Sequence, residues 1–171
     1  MAALSGIDPF TGQTKTITFA QGAPISAVSA GGEADCYLAP GLIDLQVNGY
    51  AGFDLNSSDL KPETVSALAR TLLAHGVTCF LPTVITASET AILAALSAIA
   101  SACENDPLVE NMVAGIHVEG PFISPQDGPR GAHPEAQVRA PDIQEVRRWQ
   151  AAWKMLTCGL GTPCSRAPMW K

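Results

Sequence analysis

The chain has 171 residues, of which 47% are hydrophobic and 15% charged, and its formal net charge is −6. This composition fits one ordinary domain with a buried core, and the absence of a basic cluster argues against a nucleic-acid or membrane-surface partner. Without a signal peptide, an apolar stretch long enough to span a membrane, or a Cys-x-x-Cys motif among its five cysteines, the sequence predicts a soluble cytoplasmic protein with free thiols.

The N-terminal segment, residues 5–33, alternates weakly between polar and apolar residues. Thr16 and Thr18 would face one side of a strand, and Ile17 and Phe19 the other. A second apolar run, residues 25–28, follows a Gln-Gly turn, so we predict two strands that form a hairpin.

A third predicted strand follows Pro40-Gly41 and runs from Leu42 to Asn48. Alternation places Leu45 and Val47 on one face and Asp44, Gln46 and Asn48 on the other. In a parallel barrel, the first face would meet the helices and the second would face the barrel interior. The inward polar residues then form either a hydrogen-bonded network or a functional site.

Two helices and two further strands are predicted next. Apolar spacing indicates a helix over 58–74 in which Pro62 lies near the start, and His75 is interpreted as a cation at the helix end. Residues 77–84 form a strand, and Thr86 and Glu89 have the spacing of a capping box that opens a helix to about residue 103. The alternation of strands and helices, completed by a strand over 112–119, predicts a parallel sheet.

The 112–119 strand brings two chemically active side chains to its C-terminal end. His117 and Glu119 are two residues apart and therefore face the same side, and His133 follows in the next loop. Such groups either pair with each other and the backbone, or bind a metal or substrate. The ends of barrel strands are where α/β barrels hold their chemistry.

The C-terminal part changes character. Pro141-Asp142 begins a predicted helix that contains Ile143, Val146 and Trp149. From residue 154 onward no periodicity remains, so residues 154–171 are predicted to be irregular and to add no fourth strand.

Residues 36–153 resemble a known family, the N-acetylglucosamine-6-phosphate deacetylases of the amidohydrolase superfamily. The similarity lies in four motifs that occur in the family's order and spacing. They are Ala39-Pro40-Gly41-Leu42-Ile43-Asp44-Leu45-Gln46-Val47-Asn48-Gly49, His75-Gly76-Val77-Thr78 with Leu81-Pro82-Thr83, His117-Val118-Glu119-Gly120-Pro121-Phe122, and Gly131-Ala132-His133-Pro134-Glu135-Ala136. The resemblance implies an α/β fold: an incomplete TIM (β/α)8 barrel over residues 39–153, preceded by part of a small β-sandwich over 1–38 and followed by a non-family tail.

The resemblance also implies roles for individual residues. Glu119 matches the carboxylate that binds the family's catalytic divalent metal, which could be zinc, iron or manganese. Ala132 and His133 match the substrate-contacting pair. Gln46 and Asn48 stand where many amidohydrolases have a His-x-His metal pair, so one metal is expected, and His117 is expected to support the site without binding the metal.

The implied reaction is metal-assisted hydrolysis of the N-acetyl amide of N-acetylglucosamine 6-phosphate, which yields acetate and glucosamine 6-phosphate. In the family, the other metal-binding histidines and the catalytic aspartate come from later strands that this sequence lacks, so no catalytic residue is assigned. We therefore expect a truncated form that binds metal poorly and is inactive alone, of an enzyme that is a homodimer when complete. Two alternatives are a catalytically dead chain that only pairs with full-length subunits, and an amidohydrolase of another specificity.

Overall fold

The computed structural model describes residues 1–20 and 23–153, together with the backbone of residues 156–157. The chain divides into two compact units, Met1–Gly41 and Leu42–Lys171. Among the described helices, none has the length and apolar content that crossing a membrane requires.

The first unit is a three-stranded antiparallel sheet. Its strands are β1 (Ala2–Ile7), β2 (Thr14–Phe19) and β3 (Ile25–Ala30), in the order β1-β2-β3. The predicted hairpin is confirmed as β2 and β3, which pair from Lys15↔Ala30 to Phe19↔Ile25. Strand β1 was not separated by the sequence because its residues, Ala-Ala-Leu-Ser-Gly-Ile, alternate poorly. Its end is shaped by Asp8, whose Oδ1 accepts hydrogen bonds from the amides of Phe10 and Thr11.

The second unit is built on a parallel sheet. Its main strands are β4 (Leu42–Val47), β7 (Val77–Ile85) and β8 (Ile116–Glu119). A separate short antiparallel pair, β5 (Gly49–Tyr50) and β6 (Phe53–Asp54), lies between β4 and β7 in the sequence. A two-residue strand, β9 (Leu156–Thr157), completes the order β4-β7-β8-β9, in which all neighbours are parallel. The predicted parallel arrangement of β4, β7 and β8 is confirmed.

The described residues form four helices: α1 (Pro62–Ala74), α2 (Glu89–Asn105), α3 (Pro107–Met112) and α4 (Ile143–Ala152). The first three pack against β7, and α4 packs against α2. A 3-10 turn, Glu135–Gln137, lies in the loop before α4. The largest side chains of the core, each less than 2% exposed, come from strands and helices alike: Leu55, Leu68, Phe80, Ile92, Leu96, Ile99, Ile116 and Trp149. The predicted apolar faces are confirmed in part: Val65, Leu68 and Leu72 of α1 and Trp149 of α4 are buried. Leu73 and Ile143, from the same predicted patterns, are 39% and 63% exposed.

Helix boundaries differ from the predictions at three places. The helix predicted over residues 58–74 begins at Pro62. The N-cap of α2 is Ser88, whose hydroxyl accepts a hydrogen bond from the Ala91 amide, and the predicted capping role of Thr86 is wrong. A short helix that was not predicted, α3, follows α2: the Asp106 carboxylate accepts a hydrogen bond from the Leu108 amide and caps its start. This helix ends at Met112, the first residue of the predicted 112–119 strand, and the strand itself begins only at Ile116.

Two expectations about the sheet are also corrected. Leu45 was expected to meet the helices, but it is 67% exposed because β4 is the edge strand of the described sheet. The prediction of an irregular segment from residue 154 is wrong at Leu156–Thr157, where backbone hydrogen bonding to β8 extends the sheet without needing hydrophobic periodicity. The rest of the 154–171 segment lies outside the described residues.

Candidate active site

The candidate site is organised around Glu119, the last residue of β8. Its Oε2 accepts a hydrogen bond of 2.9 Å from Nε2 of Gln46 on β4. Because β7 lies between β4 and β8, this bond joins two strands that are not neighbours in the sheet. Gln46 and Glu119 therefore meet on one face of the sheet, at the C-terminal ends of the parallel strands.

His133 lies on the other side of the same carboxylate. Its Nε2 is 3.6 Å from Glu119 Oε1, and the two side chains are 20% and 33% exposed, so solvent and small molecules can reach them. The Arg130 guanidinium donates a 2.7 Å hydrogen bond to the backbone oxygen of His133, which fixes the chain where the imidazole leaves it. Ala132, the other residue of the predicted substrate-contacting pair, is exposed next to it.

His117 and Asn48 make their hydrogen bonds away from Glu119. Nδ1 of His117 is 3.4 Å from the hydroxyl of Thr83, a fully buried residue of β7. The Asn48 backbone oxygen accepts from the Leu55 amide at 3.0 Å. His117 thus lines the site with its ring tied to β7, whereas Asn48 shapes the turn that follows β4.

Asn56 is a supporting residue that the sequence analysis missed. Its Nδ2 donates to the Thr83 carbonyl at 3.0 Å, and its Oδ1 accepts from the Ile85 amide at 2.8 Å. These two bonds hold the segment after β6 against the C-terminal end of β7. A polar residue in a Leu-Asn-Ser sequence has no local signal that would reveal this pairing.

Thr86 and Gly120 shape the exit of the chain from β8. The Thr86 hydroxyl donates to the backbone oxygen of Glu119 at 3.2 Å, and Thr86 is 2% exposed. Gly120 has a φ of +85°, and a Cβ at this position would lie 1.9 Å from that hydroxyl oxygen. Only glycine fits here, since it tolerates positive φ and leaves room for Thr86.

The described residues around Glu119 offer fewer possible metal ligands than a catalytic divalent metal usually has. A zinc-type catalytic site takes about three protein ligands. Among the described residues, no group of three or more His, Cys, Asp or Glu side chains is placed to hold a metal ion. Glu119 and His133 offer two donors, so the described residues do not fit a metal by themselves.

Sequence comparison relates the chain to curated sugar-phosphate deacetylases. It is 42% identical over 106 residues to the N-acetylglucosamine-6-phosphate deacetylase of Bos taurus, a match that covers 61% of this chain and 25% of the relative. It is 34% identical over 119 residues to the enzyme of the same name from Bacillus subtilis, covering 68% and 29%. The N-acetylgalactosamine-6-phosphate deacetylase of Escherichia coli O157:H7 is 36% identical over 124 residues, covering 72% and 30%. No protein-family model matches the chain.

Solved structures show the same relation at the level of fold. The N-acetylglucosamine-6-phosphate deacetylase of Mycobacterium smegmatis matches with a TM-score of 0.72 at 24% identity, over 91% of this chain and 45% of that one. The Thermotoga maritima deacetylase matches with a TM-score of 0.70 at 26% identity, over 85% and 39%. The predicted resemblance is therefore confirmed, and the chain spans less than a third of the three curated relatives and under half of these two solved chains.

Proposed function

We propose, from its relation to the N-acetylglucosamine-6-phosphate deacetylases, that this chain contributes one side of a site that hydrolyses the N-acetyl amide of N-acetylglucosamine 6-phosphate. The products would be acetate and glucosamine 6-phosphate. The observation that carries the proposal is Glu119, placed between the Gln46 amide and the His133 imidazole at the C-terminal edge of a parallel sheet. This is the edge at which α/β barrels place their reacting groups.

His133 would act on the acetamide carbonyl of the substrate. A neutral imidazole has one N–H that can donate a hydrogen bond to the carbonyl oxygen, and this bond strengthens as negative charge develops on that oxygen. The Arg130 bond to the His133 backbone keeps the ring in place while it does so. Ala132, which has only a methyl side chain, leaves room for the sugar.

Glu119 would hold a divalent metal together with donors outside the described residues. Its Oε2 is occupied by the Gln46 amide, which orients the carboxylate and directs Oε1 toward the face shared with His133. Since the described donors do not complete a metal site, the roles proposed here are limited to the chain's own side chains.

The sheet would be the beginning of a TIM barrel. Support comes from the parallel order β4-β7-β8 with a helix after each strand, and from the TM-scores of 0.72 and 0.70. The exposed edge strand β4, in which Leu42, Ile43 and Leu45 are 60–67% exposed, would pair with a further strand in the complete fold. Strands β1, β2 and β3 of the first unit would belong to a small β-sandwich. The complete protein would be a homodimer.

A chimera tests the proposed function directly. The segment of the Bacillus subtilis relative that matches this chain would be replaced by the matching residues of this chain, and acetate release would be measured enzymatically. We expect turnover of N-acetylglucosamine 6-phosphate, with N-acetylgalactosamine 6-phosphate as the comparison substrate because an enzyme of that name is also a relative.

Two substitutions assign the turnover to this chain's residues. His133→Ala should lower kcat by roughly 100-fold or more, the usual effect of removing a donor to a developing oxyanion. His75→Ala is the matched control and should leave kcat nearly unchanged. It also removes an imidazole, but the ring of His75 bonds to the Thr71 carbonyl at the end of α1 and not to the site. A folded chimera without turnover, or one in which both substitutions act alike, would contradict the proposal.

A further inference from the structure

The loop that carries His133, residues 121–139, connects β8 to α4 and is closed at its base. The Arg139 amide donates a 3.2 Å hydrogen bond to the Pro121 carbonyl, so the two ends of the loop lie side by side. The position of His133 relative to Glu119 therefore depends on how this base is attached to the rest of the molecule.

Both ends of the loop attach to the same face of α4. At the start, the Phe122 ring stacks on Trp149, with ring centroids 5.4 Å apart and planes at 16°. At the end, Arg139 Nε donates to Glu145 Oε2 at 3.0 Å, and Nη2 donates to Glu145 Oε1. Glu145 and Trp149 are four residues apart and so lie one above the other on the helix.

Arg139 connects more than the loop and the helix. Its Nη1 donates to the Ala87 carbonyl at 3.0 Å, in the segment between β7 and α2, and to the Gln137 carbonyl at 2.7 Å, in the 3-10 turn of the loop. One guanidinium therefore joins three parts of the second unit. Its planar array of five donors makes this possible, whereas a lysine ammonium could not match the same geometry.

The Arg139–Glu145 pair is important for stability because Glu145 is buried. Glu145 is 3% exposed, and a buried carboxylate is costly unless it is paired and hydrogen-bonded. The hydrogen bonds to Glu145 also raise the pKa of Arg139 above its ordinary value. A buried charge with a partner in the loop keeps the loop base in one position.

We propose that Arg139 is a positioning residue: by pairing with Glu145 on α4 it fixes the base of the 121–139 loop and thereby holds His133 beside Glu119. This inference rests on the proposed function only in assigning His133 to the site. The attachment itself follows from contacts that need no substrate.

The test uses the full 171-residue chain with isotopically labelled histidine, observed by NMR at fixed pH. Glu119→Gln, which removes the neighbouring carboxylate charge, should shift the ring resonances of His133 because the two side chains are 3.6 Å apart. The same substitution in an Arg139→Met/Glu145→Leu background should leave these resonances unchanged, because the loop base is released and the imidazole leaves the carboxylate. Replacing both partners avoids the uncompensated buried charge that Arg139→Met alone would leave.

Arg148→Met is the matched control. Arg148 also lies on α4 and pairs with Glu89 through two nitrogens. Glu89 is on α2, and the second partner of Arg148, Asp142 at 3.8 Å, is the N-cap of α4, so both partners lie outside the loop. In this control the shift caused by Glu119→Gln should remain. Hydrogen exchange gives a second reading: the amides of Gly131 and Val138 should exchange at least roughly tenfold faster in the double variant, with α1 unchanged.

Two results would overturn the inference. One is that Glu119→Gln shifts the His133 ring resonances as much in the Arg139→Met/Glu145→Leu background as in the unmodified chain. The other is that Glu119→Gln no longer shifts them in the Arg148→Met control. Neither measurement uses substrate or turnover, so failure of the deacetylase assay would leave this result unaffected, and failure here would leave the assay unaffected.

Discussion

Gly120→Ala is the substitution whose effect can be worked out most fully from the structure. Gly120 follows Glu119 directly, with a φ of +85°. This left-handed conformation costs a residue with a Cβ roughly 1–2 kcal/mol. The added Cβ would also lie 1.9 Å from the Thr86 hydroxyl oxygen, and relieving an overpacked contact of this kind costs about 1–3 kcal/mol. Together, the free energy of unfolding should fall by about 2–5 kcal/mol.

A double-mutant cycle separates the two contributions. Thr86→Ala alone should cost about 1 kcal/mol, because the Glu119 carbonyl loses its hydroxyl donor. With Thr86→Ala present, the hydroxyl oxygen is gone and the added Cβ would meet the Cβ and Cα of residue 86 at 3.2 and 3.7 Å, so most of the overpacking cost is relieved. The double variant should therefore be more stable than the sum of the single effects predicts, by about 1–3 kcal/mol.

Equilibrium urea unfolding of the four proteins, followed by tryptophan fluorescence, measures this coupling. Trp149 and Trp153 are 1% and 5% exposed in the core, so their emission reports unfolding of the second unit. If the two substitutions prove additive within about 0.5 kcal/mol, the described contact between Gly120 and Thr86 is wrong.

Two further predictions concern titratable groups. The Lys15 side chain and the Phe10 amide lower the pKa of Asp8 to about 2. Its stabilising effect should therefore be complete above the unfolded-state pKa of roughly 4 and should disappear as the pH falls from there to about 2. The urea midpoint of the first unit, followed by the NMR amide signals of β1–β3, should follow this course, and Asp8→Asn should remove that part of the pH dependence. Burial, with smaller contributions from neighbouring carboxylates, raises the pKa of the Cys103 thiol to about 12. Iodoacetamide should thus label the exposed Cys36 long before Cys103 in the folded chain, and peptide mass spectrometry should show equal labelling of both in urea.

The elements that periodicity defines were predictable from the sequence. The apolar spacing of α1, with Pro62 at its start and Gly76 past its end, identifies a helix that the structure has at Pro62–Ala74. Alternation grouped Gln46 with Asp44 and Asn48 on β4, and Glu119 with His117 on β8, and the structure joins Gln46 to Glu119 by a hydrogen bond. Both signals are local, because each depends only on the repeat of the element that contains the residue.

The remaining contacts depend on which segments the fold brings together. Thr86 has the spacing of a capping residue, yet its hydroxyl bonds to the end of β8, because Ser88 starts α2. Asp106-Pro107 can end one helix or start another, so the sequence alone does not distinguish the two. In the structure it starts α3, which packs against α2. The pairing of Arg139 with Glu145 likewise has no sequence signal beyond two opposite charges six residues apart.

The most direct test of the central claim, that Glu119 belongs to a deacetylase site, is acetate release by the Bacillus subtilis chimera carrying Glu119→Gln. Glu135→Gln serves as the matched control, because Glu135 is an exposed carboxylate two residues from His133 in the same loop. We expect Glu119→Gln to abolish turnover of N-acetylglucosamine 6-phosphate and Glu135→Gln to retain most of it. Equal turnover by the two variants would show that Glu119 is not part of the deacetylase site.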